Sequence, residues 1–141
     1  MTLTLDHART IVRTTLDTGR AMKLKPLSVI VLDAGGNVKA FEREDGASPG
    51  RYQIAHGKAY GAVMLGMPGS AQMARAESQA YFIAAANGAF GGALIPVPGG
   101  VLVKDAAGAV IGAVGVTGDT SDNDAAAAKA GIEAAGLMAV I

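Results

Sequence analysis

Four side chains able to bind a metal or stack on a flat ligand recur at every fourth position of one stretch: Tyr52, His56, Tyr60 and Met64. On an α-helix this spacing lays them along one face, drifting slowly round it. Histidine, tyrosine and methionine all serve as donors to haem iron. The stripe therefore suits a haem site, with any of these side chains as the donor. It suits equally an amphipathic face packed against a sheet or a partner subunit, and periodicity leaves both readings open. Lys58 lies off this face, either as a surface charge or as counter-ion to a ligand carboxylate. His7, in the first turn of an N-terminal helix, reads as an exposed neutral imidazole.

A second stretch with chemical content is Gly112-Ala-Val-Gly-Val-Thr-Gly-Asp-Thr-Ser-Asp-Asn-Asp124. A phosphate cradle at a helix start needs free N–H groups and an open positive dipole end. Here Asp119, Asp122 and Asp124 occupy that end and would repel a phosphate. The stretch also lacks the Gly-Lys-Ser/Thr of a Walker loop and the glycine spacing of a dinucleotide fold. The carboxylates read as helix caps, with an oxygen-ligated metal as the alternative, although a calcium loop would need a glycine and a final Glu. Thr117-Gly118 is expected to end a strand, exposing a hydroxyl and a bare backbone that a ligand can approach. Neither a nucleophile elbow nor an HExxH zinc motif is present.

The elements that must position these residues follow from hydrophobic period and punctuation. Thr4 caps a first helix that ends before Pro26. Residues 27–32 and 37–42 form a hairpin around Asp33-Ala-Gly-Gly36, and 101–104 with 109–116 form another around Asp105-Ala-Ala-Gly108. The two turns echo each other: Asp bonds back to the backbone and Gly supplies positive φ. A helix spans 51–65, Ser70 is expected to cap another through Ser78, and 79–89 has no clear period. Pro and Gly between 91 and 100 suggest a short edge strand and a tight corner at Gly99-Gly100. A last helix is expected from Ser121 to Met138. The fold class is α+β, an antiparallel sheet of about five strands between helical layers.

Composition narrows the partners. The chain has 141 residues, 12 basic and 12 acidic, without a Lys/Arg cluster, which argues against nucleic acid. A charged fraction of 17% with 20 glycines suggests that surface is hidden in a homo-oligomer. No cysteine is present, which removes disulfides, thiolate metal sites and covalent haem attachment. No apolar run is long enough to span a bilayer, and the N-terminus does not read as a signal peptide. A cytoplasmic, single-domain protein is expected.

Taken together, Ile54-Ala-His-Gly-Lys-Ala59, Gly66-Met-Pro68, Pro98-Gly-Gly-Val101 and Gly112–Gly118 resemble the GlcG/HbpS family of haem-binding-like proteins. The resemblance runs from Leu3-Thr-Leu5 to the final helix, which contains Ala-Lys-Ala-Gly131. It implies a profilin-like α/β/α sandwich that assembles as a homo-oligomer. Some members bind haem or iron-related ligands, and others resemble the corrinoid-processing PduO C-terminal domain. Many occur in catabolic operons. Secreted redox-sensing members carry N-terminal glutamate pairs for iron, which this chain lacks.

Three functions follow. In the first, a cytoplasmic protein binds haem or another tetrapyrrole, a small-molecule ligand held in an apolar pocket. His56 is its axial ligand, Tyr52 or Tyr60 lies nearby, and Arg51 or Lys58 pairs with propionates. Gly99-Gly100 and Thr117-Gly118 line the approach. In the second, an enzyme acts on a small organic acid, with the carboxylate near Lys58 or Arg51 and a proton moved by His56 or Asp119. In the third, the chain is a structural oligomer with the stripe buried between subunits. Where the Tyr52–His56–Tyr60 face points discriminates among them.

Overall fold

The computed structural model describes the whole chain, residues 1–141. Helix α1 (Leu5–Ala21) is started by Thr4, whose Oγ1 accepts from the His7 amide at 3.0 Å while His7 Nδ1 accepts from the Thr4 amide at 3.2 Å. This reciprocal box satisfies two amides that the helix cannot bond itself, so His7 is engaged in capping. Two hairpins follow the expected turn chemistry. Strands β1 (Ser28–Asp33) and β2 (Val38–Arg43) form the first, β3 (Gly100–Lys104) and β4 (Val110–Thr117) the second. Asp33 Oδ1 accepts from the amides of Gly35 and Asn37, and Asp105 Oδ1 from those of Ala107 and Ala109. Gly36 and Gly108 supply the positive φ.

The strands join in the order β2-β1-β4-β3-β5, every pair antiparallel, with β5 (Met138–Val140) at one edge. Side chains alternate between two faces, as a period of two requires. Val29, Val31, Val101, Val103, Val114 and Val116 meet α1 and α5 (Ser121–Ala134) on one side. Ile30, Leu32, Leu102 and Ala113 meet α2 (Arg51–Leu65) on the other. Helix α3 (Gly69–Ser78) packs beside α2, and α4 (Ala80–Ala89) packs on α3. The result is an α+β fold, an α/β/α sandwich around a five-stranded antiparallel sheet.

Three expectations are corrected. Ser70 caps nothing: α3 begins at Gly69, behind Pro68 and without a side-chain cap. Residues 91–99 contain no strand, because Pro96 and Pro98 offer no N–H to a ladder and the Ile95 amide bonds instead to the Gly57 carbonyl of α2. The last helix stops at Ala134, not Met138. Gly136 turns the chain at φ 76°, and the C-terminal residues pair with β3 as the edge strand. Residues 80–89, without a period in sequence, are helical. No helix is long and apolar enough to cross a membrane.

Candidate ligand site on helix α2

Helix α2 sits close on the sheet because its inner face is made of small residues: Ala55, Gly57, Ala59, Gly61 and Ala62 are all buried. The strands beneath match it. A Cβ on Gly115 would lie 2.0 Å from the Ala55 carbonyl oxygen, and one on Gly100 2.3 Å from that of Lys58. With backbone against backbone, the large side chains of α2 are carried to its flanks.

One flank holds the expected stripe. His56 stacks between Tyr52 and Tyr60, with ring centroids 6.0 and 5.2 Å away and interplanar angles of 22° and 21°. Phe41 closes the column edge-on against Tyr52 at 4.9 Å, and Phe90 against Tyr60 at 6.1 Å. Met64 and Tyr60 overlie Gly36 in the first hairpin turn, where any side chain would collide with them. The column borders a hollow of about 270 Å³, with Tyr52, Ile54 and His56 on one wall and Gly92, Ala93 and Ile95 on the other. Tyr52 remains 39% exposed. Tyr52 and His56 therefore line an open hollow, whereas Tyr60 and Met64 pack over the first hairpin turn. Partial burial lowers the His56 pKa below the ordinary imidazole value, which favours the neutral ring, whose one unprotonated nitrogen is free to bind a metal.

Lys58 points the other way, as two positions along a helix demand. It is 3% exposed, and its Nζ donates to Asp124 Oδ2 at 3.2 Å and to the Val116 carbonyl at 3.0 Å. Asp124, 1% exposed, also accepts from the Asp119 amide. Burial pulls the Lys58 ammonium below its usual range and pushes the Asp124 carboxyl above its own; each opposes the other's shift. This buried pair ties α2 to α5 past the end of the sheet. Gly99 and Gly100 make the passage: a Cβ on Gly99 would stand 2.8 Å from Lys58 Nζ.

Thr117 and Gly118 are likewise engaged. Thr117 is buried and its Oγ1 accepts from Arg51 Nη1 at 2.8 Å. The close approach that Gly118 permits, at φ 141°, is made by the chain itself, since a Cβ there would lie 2.2 Å from the Pro26 carbonyl. Thr120 is the N-cap of α5, and Asp119 supports it. The side chain of Asp119 accepts from the Asn123 amide group and from the backbone amides of Lys25 and Thr120, which together lower its pKa from 3.8 to about 2. A depressed carboxylate contributes stability above its unfolded value that is lost as pH falls through the folded one. The Tm difference between the parent and Asp119→Asn is therefore expected to be constant above about pH 4 and to shrink toward pH 2. A difference independent of pH across that window would sink this account.

The expected site residues thus form two groups. Tyr52, His56 and Tyr60 share the outer flank of α2. Lys58, Gly99, Gly100, Thr117, Gly118 and Asp119 belong to the internal junction of α2, β4 and α5, with Arg51 at its rim. His56 does not share its hollow with Lys58 or Asp119, so the charged residues of the organic-acid enzyme do not meet in one cleft. The largest hollow, about 640 Å³, lies elsewhere, beside the N-terminal segment and the first hairpin turn. Its Asp33 and Asn37 are already bonded to one another.

A family model described as haem degrading protein HbpS-like matches residues 3–133. The chain belongs to the HbpS-like family. Solved structures agree. The crystal structure of a PduOC:haem complex superposes with a TM-score of 0.84 over 95% of both chains, at 20% identity. HbpS of Streptomyces reticuli, crystallised as a double mutant, gives 0.80 over 94% of this chain and 86% of its own, at 29% identity. A Klebsiella pneumoniae protein, ORFY of the DUF336 family, gives 0.83 over 94% and 90%, at 23% identity. No curated protein matches the chain.

Within this HbpS-like chain, sequence reasoning missed Asp124 as partner of Lys58, and Phe41 and Phe90 as the ends of the column. One signal was available for the latter. The chain has three tyrosines and three phenylalanines, and four of them stand in this single column.

Proposed function

We propose that this HbpS-like protein binds haem or a related tetrapyrrole on the outer flank of α2, with His56 as donor to the metal. The observation that carries the reading is the stack around His56. Tyrosine rings cover both faces of the imidazole, so its in-plane nitrogen lone pair is what remains to meet a ligand. Burial keeps the ring neutral, the form that coordinates. No cluster of three His, Asp or Glu side chains is placed to hold a bare ion, whereas a porphyrin brings its own nitrogens and asks the protein for one or two donors. When bound, haem supplies a redox-active iron; the chain positions it and shields one side.

The family description and the haem complex of a structural neighbour support the same ligand class. The hollow of about 270 Å³ falls below the usual range for a whole small-molecule site, so one chain encloses only part of a macrocycle. Helix α4, strongly apolar and packed mainly on α3, with Tyr81 72% exposed, offers a surface for a second copy to complete the enclosure. Lys58 is committed to Asp124, and of the two expected counter-ions Arg51 alone keeps donors beyond its bonds to Thr117 and Ser48 for a propionate.

The test is a haemin titration of the purified protein followed by absorbance, alongside His56→Ala. A saturable Soret shift is expected, with affinity at least about tenfold lower in the variant. Unchanged affinity and an unchanged Soret band in His56→Ala would overturn the assignment.

A further inference from the structure

Of the two permanent cations on α2, Lys58 is met by Asp124, but no ion pair of the chain includes Arg51. Arg51 donates through Nη1 to Thr117 and through Nε to Ser48 Oγ at 3.0 Å, which leaves its Nη2 donors unengaged. Beside it, α2 begins at Gly50 without a side-chain cap and without an acidic residue in its first turn. The Tyr52 and Gln53 amides find no acceptor in the chain. Water alone would satisfy a bare helix start. What points to a ligand is Ser28.

Ser28 is the cross-strand partner of Thr117. By strand alternation it projects from the same face as Ile30 and Leu32, toward α2. It is fully buried and its hydroxyl has no hydrogen-bond partner, a state that folded proteins ordinarily avoid. An unbalanced guanidinium and two bare amides therefore stand at one end of one helix, and an unpaired buried hydroxyl lies on the strand beside the Thr117 that Arg51 bonds.

We infer that the N-terminal end of α2 is a carboxylate-binding site, with Arg51 as the forked donor, the Tyr52 and Gln53 amides as the helix end, and the Ser28 and Thr117 hydroxyls behind them. One uncompensated positive charge with planar geometry matches one carboxylate. Arg43, the partner of Ser28 on β2, donates to the Ala47 carbonyl and lines a hollow with Arg20, Glu42, Glu44 and Asp45, where three carboxylates outweigh two guanidinium groups. The carboxylate can come from a separate small organic acid. It can also be a propionate that reaches round from the tetrapyrrole bound at His56, five residues on, about 7.5 Å along the helix axis and about 140° round it. The second source rests on the haem reading; the first does not.

The experiment follows the Tyr52 and Gln53 amide signals of the labelled chain during titration with acetate, malonate and inorganic phosphate. A saturable shift of these amides with a carboxylate is expected. Arg51→Gln should weaken it at least about tenfold, as loss of a charge-assisted pair does. Should that variant fail to fold, Arg51→Lys keeps the charge, removes the fork and is expected to weaken binding in the same direction. Ser28→Ala separates ligand binding from structure: removing an unpaired hydroxyl should raise the Tm of the free chain while carboxylate affinity falls. Haemin against its dimethyl ester identifies the source. Weaker binding of the ester by the parent, but not by Arg51→Gln, assigns the site to a propionate, and equal binding together with an acetate or malonate shift assigns it to a separate acid. No saturable shift and no ester effect, or tighter binding of phosphate than of any carboxylate, overturns the inference. None of these outcomes bears on His56, which His56→Ala tests by itself.

Discussion

Lys58→Met is expected to lower the stability of the protein by about 3–5 kcal/mol, because it leaves the Asp124 carboxylate buried without a counter-charge. The methylene stem of Lys58 is largely reproduced by methionine, so lost packing is a minor part of the effect. The double variant Lys58→Met with Asp124→Leu should recover most of the loss, since removing both charges also removes both desolvation costs. Urea unfolding of the two single variants and the double closes the cycle. Additive losses would mean that the pair does not hold α2 to α5.

The pH dependence of the same variant carries a sign. Burial already pushes Asp124 above its ordinary 3.8, and Lys58 is the main force opposing it. Without Lys58 the folded carboxyl titrates higher still. A group whose folded pKa is raised contributes stability that is present below its unfolded value and lost as pH rises through the folded one. The deficit of Lys58→Met against the parent should therefore be smallest below about pH 4 and widen toward neutrality.

This pair shows where sequence reasoning reaches its limit. Lys58 and Asp124 are 66 residues apart, and nothing in either local pattern signals the other. Asp124 reads as one acid among three at a helix start, and Lys58 as a surface charge or a counter-ion to a ligand carboxylate. Local chemistry was legible wherever local bonds decide the outcome. The Thr4 cap, both Asp-Gly hairpin turns and the bounds of α2 are set by contacts within a few residues. The edge strand was not, because Met138–Val140 is too short to show a period and becomes a strand only by pairing with β3.

The site was legible in part for the same reason. Spacing by four places Tyr52, His56 and Tyr60 on one helix face wherever that helix lies, and the observed stack follows from it. Which way the face points depends on the opposite side of α2. The glycines and alanines there identify a buried side only once a sheet with its own glycines is set beneath them. Gly99, Gly100, Thr117 and Gly118 were expected to give a ligand access to bare backbone. The same bareness instead lets Lys58 and the Pro26 segment close in. Glycine announces a close approach but not the identity of what approaches.

Gly115→Ala tests that packing. In open space such a change would stabilise the chain by reducing the freedom of the unfolded state, and the extended backbone of β4 would accept it. Here the new methyl would lie 2.0 Å from the Ala55 carbonyl and 3.1 Å from the Ala59 side chain. Neither is the free end of a flexible group, so α2 must lift from the sheet. A loss of about 3 kcal/mol is expected, at the upper end for overpacking, read as a lower Tm by calorimetry. Gly88→Ala is the internal control. Gly88 lies in α4 with nothing within 4 Å of its added Cβ, and the substitution should be stabilising by up to about 1 kcal/mol. Lifting α2 also draws Lys58 from Asp124 and shifts His56 against Ile95, so haemin affinity should fall in Gly115→Ala and hold in Gly88→Ala. If Gly115→Ala kept both Tm and haemin affinity, the low seat of α2 could not be what sets the geometry of the His56 flank.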